Sequence, residues 1–142
     1  EEELPICCKI SVKCSFKEGT RSLGILLRSD GEADKCYSIR LEPDKNRMVF
    51  DMWPRKIKTQ EEDTWEIEGD RAFCVELERY CVLKSEEEYE ITVILDDTMG
   101  TVYLEGQTAM SFRSYNLRRG RMGIFVSEGK AEFYDIEIKV RK

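Results

Sequence analysis

Apolar side chains recur at every second position along most of the chain. Between Ile6 and Phe16 the even positions are apolar, whereas the odd positions are mostly lysine and serine. Successive side chains of a β-strand point to opposite faces of its sheet, so this pattern predicts a strand with one buried and one solvated face. The buried face should carry Ile6, Cys8, Ile10, Val12, Cys14 and Phe16.

Further short segments with the same period follow, separated by turn-forming residues. In the last of them we expect Tyr134, Ile136, Ile138 and Val140 to share the buried face. The polar stretch 54–63 predicts a surface loop, and residues 77–90 predict a loop or one short turn. The predicted strands after the first are 23–28, 37–41, 48–52, 64–67, 73–77, 89–95, 101–104, 109–115, 123–126 and 134–140.

Many short strands at a spacing of about 8–12 residues are typical of sandwiches and barrels. No segment shows a sustained period of about 3.6 residues, so helices should contribute little. The predicted fold is therefore all-β: an antiparallel two-sheet β-sandwich of the jelly-roll (concanavalin A-like) type. A chain of 142 residues suits one domain, and we expect that domain to span residues 1–142.

The net charge and the hydropathy of the chain limit the classes of binding partner that we expect. The formal net charge is −6, which repels phosphate backbones and disfavours nucleic acid as a partner. No apolar run approaches the roughly 20 residues of a membrane helix, so we expect no membrane partner. Residues 1–5 lack the basic and apolar regions of a signal peptide.

The six cysteines lack the short spacing of zinc ligands. They lie at positions 7, 8, 14, 36, 74 and 81, and no pair has two residues between its members. Cys8 and Cys14 fall on the apolar phase of the first strand, so buried free thiols are expected there. Free thiols favour a reducing, cytoplasmic compartment, whereas a disulfide such as Cys74–Cys81, or a secreted parent protein, remains open.

The chain lacks the residues of several catalytic centres. It contains no histidine, which excludes Ser-His-Asp and Cys-His centres, and it has no glycine-rich phosphate loop. Glu66, Glu68 and Asp70 alternate and could share a strand face as glycosidase carboxylates do, but a solvated strand edge is the expected arrangement. The pair Asp96-Asp97 is typical of a turn rather than of a calcium site. We therefore expect no catalytic residue, no metal and no cofactor.

Four residues are candidates for carbohydrate binding. Aromatic rings stack on the apolar faces of sugars, while charged groups bond the hydroxyls. Trp53 and Trp65 flank the polar stretch 54–63, and Arg113 and Tyr115 follow in the second half. Each could instead serve core packing or an interface contact, as could Tyr103.

The second half of the chain resembles the C-terminal β-sandwich of family 32 glycoside hydrolases, the β-fructosidases that include invertases, levanases and inulinases. The resemblance spans residues 91–140, and the early strands fit as well. That sandwich carries a V-D-G-S pattern, then V-F-x-N-x-G, an Arg-x-Tyr and a closing pair of strands. The corresponding segments here are Leu95-Asp96-Asp97-Thr98, Val102-Tyr103-Leu104-Glu105-Gly106, Arg113-Ser114-Tyr115, Gly123-Ile124-Phe125-Val126 and Ala131-Glu132-Phe133.

The resemblance implies an accessory role. In that family the chemistry belongs to a five-bladed propeller, whose motifs W-x-N-D-P, R-D-P and E-C are absent here. It implies a non-catalytic module that packs beside the catalytic propeller of a parent enzyme and assists in binding an oligosaccharide such as fructan. A stand-alone carbohydrate-binding, lectin-like module is the alternative, and a sandwich-fold glycoside hydrolase is a second alternative.

Overall fold

Two antiparallel five-stranded sheets dominate the computed structural model, which describes residues 2–53, 55–57, 65–67 and 77–141. Sheet A has the strand order β10-β9-β8-β1-β12, and sheet B has the order β11-β2-β3-β4-β7. A separate pair, β5-β6, makes a small third sheet. The strands are β1 (Cys7–Phe16), β2 (Ser22–Ser29), β3 (Cys36–Glu42), β4 (Arg47–Trp53), β5 (Arg55–Ile57), β6 (Trp65–Ile67), β7 (Leu77–Tyr80), β8 (Tyr89–Asp96), β9 (Met99–Leu104), β10 (Thr108–Arg113), β11 (Arg121–Ser127) and β12 (Ala131–Val140).

This architecture confirms the predicted all-β sandwich with a jelly-roll-like arrangement. The helical segment of the described residues is one 3-10 turn, Pro43–Lys45, between β3 and β4. Within the described ranges, no helix is long and apolar enough to cross a membrane.

The core lies between the two sheets and is built from the inward phase of each strand. The even residues of β1 from Cys8 to Phe16 are buried, as the period predicts. Ile6, predicted on the same face, precedes the strand and is 45% exposed, so the prediction is wrong at that residue. From sheet B, Leu23, Ile25 and Leu27 of β2 pack against them in one hydrophobic cluster. Burial of this apolar area is the main stabilising contribution to a sandwich.

A stack of aromatic rings ties the sheets together. Phe50 of β4 lies 4.2 Å from Phe112 of β10 between ring centroids, and 5.4 Å from Tyr37 of β3. Gly100 of β9 makes room for this stack, because a Cβ at that position would lie 2.3 Å from the Phe112 ring. The stack therefore fixes how β10 sits over the β3-β4 pair.

Four cysteine thiols are buried and free: Cys8, Cys14, Cys36 and Cys81. Burial raises the pKa of Cys14 to about 12 and that of Cys36 to about 11. The prediction of a buried thiol at Cys8 and Cys14 is thus confirmed. Cys74, the other half of the disulfide left open, lies outside the described residues.

The predicted face of the last strand is wrong at Tyr134, because β12 contains a β-bulge. The register passes from Tyr134 opposite Lys13 to Glu137 opposite Ser11, so two residues of β12 face one of β1. Asp135, with φ 51°, absorbs the extra residue. Tyr134 therefore lies on the outward phase, and Ile136 is 48% exposed.

Two other predicted segments differ from the structure. Residues 55–57 form the short strand β5, although 54–63 was expected to be a loop. Leu77–Tyr80 pairs with β4, although a loop or turn was expected from residue 77 onward. The predicted strand 73–77 lies largely outside the described residues.

Candidate functional site

The outward face of sheet B carries a compact group of charged side chains. Arg40 and Glu42 lie on the outward phase of β3, and Arg47 and Asp51 on that of β4, which the 3-10 turn joins to β3. Glu78 of β7 extends the group to the edge of the sheet. We call these five residues the ionic cluster.

Glu42 is the centre of the ionic cluster. Its Oε1 accepts a hydrogen bond from Arg40 Nε at 3.1 Å and another from Arg47 Nη2 at 3.1 Å. Its Oε2 accepts from Arg47 Nε at 3.2 Å. The Glu42 side chain is only 10% exposed, so these charge-assisted bonds are largely shielded from water.

Two further contacts hold the arginines. Arg40 Nη1 lies 3.5 Å from Oδ2 of Asp51, whose side chain is 3% exposed. Arg47 Nη1 donates to Glu78 Oε2 at 2.6 Å. Each guanidinium is therefore held between two carboxylates.

The surroundings keep Glu42 ionised. Its burial opposes the charged form, but the hydrogen bonds from Arg47 and the charges of Arg40 and Arg47 outweigh burial and lower the pKa of the Glu42 carboxyl. Burial likewise opposes the charge of Arg47, and its bonds to Glu42 and Glu78 outweigh that effect and raise the pKa of Arg47. A carboxyl with a lowered pKa is a poor general acid.

An open cleft of about 320 Å³ lies beside the ionic cluster. Phe125 of β11 and Arg40 of β3 line it from opposite sides of Gly24 in β2. A Cβ at Gly24 would come within 1.9 Å of the Ile39 carbonyl oxygen, so glycine permits the close approach of β2 and β3 there. The other lining residues are Arg21, Ser22, Glu42, Asp44, Lys45 and Ser127.

Trp53 lies on the same face, at the far end of β4. Alternation along β4 puts it on the outward phase with Asp51, and its side chain is half-buried. Among the proposed residues whose side chains the structure describes, Trp53 is thus the one that shares a strand face with the ionic cluster.

Two of the other three predicted residues, Arg113 and Tyr115, lie outside the strands of sheet B. Arg113 ends β10 in sheet A and lines a shallow cleft there with Thr101 and Ser111. Tyr115 follows β10 and is exposed. Trp65 belongs to β6, and its side chain lies outside the description, as do Glu68 and Asp70. Trp53 and Arg113 therefore belong to different sheets, and a binding role for the four residues stays a prediction.

The arrangement supplies fixed donors and acceptors rather than reactive groups. In the described ranges no three histidine, cysteine or carboxylate residues cluster as metal ligands. The guanidinium N–H groups and carboxylate oxygens beside the cleft instead suit hydroxyl groups, which both donate and accept hydrogen bonds. Phe125 adds an apolar surface next to them.

Sequence reasoning missed the ionic cluster although a signal was present. Arg40 and Glu42 are two residues apart, and the tight turn that follows pairs Glu42 with Arg47 in the next strand. Opposite charges on the same phase of two strands joined by a short turn predict such a cluster.

No protein-family model matches the chain, and no curated protein matches it in sequence. Solved structures do match its fold. The carbohydrate binding module CBM66 from Bacillus subtilis has a TM-score of 0.75 and 13% identity, covering 98% of this chain and 78% of that chain.

Two further solved structures have the same fold. Lactose- and MES-liganded congerin II has a TM-score of 0.66 and 10% identity, covering 96% of this chain and 94% of that one. Chicken galectin 2 has a TM-score of 0.61 and 10% identity, covering 93% of this chain and 89% of that one. At these identities the comparisons show the shared sandwich fold.

Proposed function

We propose that the protein is a non-catalytic carbohydrate-binding module whose binding face is the outward face of sheet B. The observation that carries this proposal is the ionic cluster beside the cleft. Arg40 and Glu42 are held by each other at 3.1 Å and both line that cleft. Both side chains are therefore ordered before a ligand arrives.

Preorganised polar groups suit sugars. A sugar ring displays hydroxyl groups around its edge and C–H groups on its faces, so it needs hydrogen-bonding groups beside an apolar surface. Here Arg40 and Glu42 supply the former and Phe125 the latter. Because the arginine and carboxylate side chains are already ordered, binding costs less side-chain entropy. The fold similarity to a carbohydrate binding module and to galectins supports this assignment.

The sequence resemblance supports a finer proposal about the ligand and the parent protein. Residues 91–140 resemble the sandwich of β-fructosidases, so fructan is the first ligand class to test. In such a parent the module would pack beside a catalytic propeller. The flanking sequence of the full-length gene product tests this part, because an upstream propeller with W-x-N-D-P is expected and its absence would contradict a β-fructosidase parent.

A binding assay with matched variants tests the main proposal. The chain should be titrated with levan- and inulin-derived oligosaccharides and with lactose. Phe125→Ala and Arg40→Lys should weaken binding of the best ligand by about tenfold or more, since each removes one part of the cleft surface. Tyr103→Ala and Arg113→Lys change an aromatic and a basic residue of sheet A and should leave binding unchanged.

Three results would count against the proposal. One is that all four variants bind the glycan with equal affinity. Another is that only Tyr103→Ala and Arg113→Lys, the variants of sheet A, lose affinity. The third is the absence of binding to every glycan of a broad panel. Thermal unfolding of each variant separates loss of the ligand contact from loss of the fold.

A further inference from the structure

One lateral edge of the sandwich leaves apolar side chains half-exposed. Ile138 and Val140 of β12 lie opposite the buried residues Ile10 and Cys8 of β1, so they occupy the inward phase of sheet A. They are nevertheless 43% and 61% exposed. The reason is their position, because β12 is the edge strand of sheet A and no further strand follows it in the described sheet.

At the same lateral edge of the sandwich, sheet B also leaves inward-phase apolar side chains half-exposed. β11 is its edge strand, and Ile124 and Val126 lie opposite the buried residues Ile25 and Leu23. Both side chains are close to half-exposed. An edge with free backbone groups and apolar inward side chains is a template for strand addition.

Backbone N–H and C=O groups of β12 point towards the free edge of sheet A, as strand addition requires. The N–H of Arg141 donates to the Cys7 carbonyl at 3.1 Å, so Arg141 faces β1. In an antiparallel pair the N–H and C=O of alternate residues point to opposite sides. Those of Ile138 and Val140 therefore point away from β1, towards the free edge.

We propose that a second copy of this chain pairs with this edge, β12 against β12 in antiparallel orientation, about a two-fold axis at Ile138. The sequence of β12 is self-complementary in that register. Glu137 lies opposite Lys139 of the second copy, and Lys139 lies opposite the second Glu137. Ile136 lies opposite the second Val140, so charged residues meet opposite charges and apolar residues meet apolar ones.

A two-fold axis at Ile138 is compatible both with backbone hydrogen bonding between the two β12 strands and with the inward faces of the two sheets. A residue on the axis pairs with itself, and Ile138 carries the outward-pointing backbone groups that such a pair needs. An axis perpendicular to the sheet keeps both inward faces on the same side. The two sheets A then form one continuous sheet, and the β11 edges with Ile124 and Val126 meet beside each other.

Charge variants of the 142-residue chain test this dimer by sedimentation equilibrium. Glu137→Lys places like charges opposite Lys139 twice in the dimer, and Lys139→Glu does the same opposite Glu137. Each single variant should dimerise at least about tenfold more weakly than the unchanged chain. An equimolar mixture of the two single variants should dimerise again, since the lysines of one variant then face the glutamates of the other.

The mixture also separates the proposal from a folding defect, because unfolded variants would not pair when mixed. Glu105→Lys, at the exposed turn after β9, makes the same charge change away from the edge and should leave the dimer intact. A chain that stays monomeric at millimolar concentration would overturn the proposal. So would single variants that dimerise as tightly as the unchanged chain, or a mixture that does not recover.

Discussion

Arg47 donates hydrogen bonds to the Glu42 carboxylate from two of its nitrogens. Nη2 donates to both carboxylate oxygens, at 3.1 Å to Oε1 and 3.0 Å to Oε2, and Nε donates to Oε2 at 3.2 Å, so the pair is held by several charge-assisted hydrogen bonds. This pairing joins the end of β3 to the start of β4 and fixes Glu42 beside the cleft. The ionic cluster is thus a structural element of sheet B as well as the centre of the proposed binding face.

Replacing Glu42 should destabilise the domain. Glu42→Gln removes the carboxylate that Arg40 and Arg47 share and leaves each guanidinium with one fewer partner in a shielded site, so a loss of about 3 kcal/mol is expected. Glu78→Gln is the matched control, because the Glu78 side chain is 57% exposed and should cost about 1 kcal/mol or less. Urea unfolding of the three proteins measures both values. Equal losses for the two variants would show that the burial of Glu42 has no energetic consequence.

Glu42 should also make stability depend on acid pH. Its folded-state pKa is lowered, whereas the unfolded chain has the ordinary value of about 4.3, so the unfolded state binds the proton first as pH falls. The Glu42 contribution is therefore present above that ordinary value and is lost as pH falls through the lowered one. The difference in free energy of unfolding between the unchanged chain and Glu42→Gln should shrink from pH 6 to pH 3. A difference that grows on acidification would contradict this sign.

Two isoleucines of paired strands test the revised phase of β12. Ile10 is fully buried, so Ile10→Ala should cost about 2–5 kcal/mol through lost burial and a cavity. Ile136 lies at the bulge and is half-exposed, so Ile136→Ala should cost about 1 kcal/mol or less. Chemical denaturation of both variants gives the comparison. Similar losses in the free energy of unfolding at the two positions would contradict the bulge and favour the uninterrupted strand that the sequence pattern predicts.

The buried thiols should resist alkylation in the folded state. Burial raises the pKa of Cys14 to about 12 and that of Cys81 to about 11, so little thiolate exists at pH 8 and a reagent cannot reach it. Iodoacetamide followed by peptide mass spectrometry should find Cys7 modified before Cys14, since Cys7 is partly exposed. Modification of Cys14 at the rate seen in urea would mean that β1 is not packed as described.

The sequence pattern predicts the strands of this fold well where one face is buried. The alternation of β1 survives because its even residues face a continuous core, and the same holds for Tyr37, Ile39 and Leu41 of β3. It fails in β12 because Asp135 adopts a left-handed conformation and shifts the phase by one residue. Nothing in the alternation of residues 134–140 marks such a bulge.

The candidate site was harder to predict than the fold. A charged residue on the outward phase of a strand is normally solvated, so the alternation of β3 gives no sign that Arg40 and Glu42 are shielded from water. Arg40 and Glu42 are buried by contacts that involve β3, β4 and β7 together. The pairing of two neighbouring strands alone does not predict that burial. The sequence groups Trp53, Arg113 and Tyr115 by residue type, whereas the structure places Trp53 in β4, Arg113 at the end of β10 and Tyr115 after that strand.

The central claim is that glycan binds on the outward face of sheet B, and NMR chemical-shift mapping tests it most directly. Amide spectra should be recorded while the best-binding oligosaccharide from the titrations is added. The account predicts the largest shifts at Arg40, Glu42 and Phe125, with little change at Thr92 and Tyr103 on sheet A. Shifts concentrated on sheet A, with Arg40 and Glu42 unmoved at saturation, would contradict it.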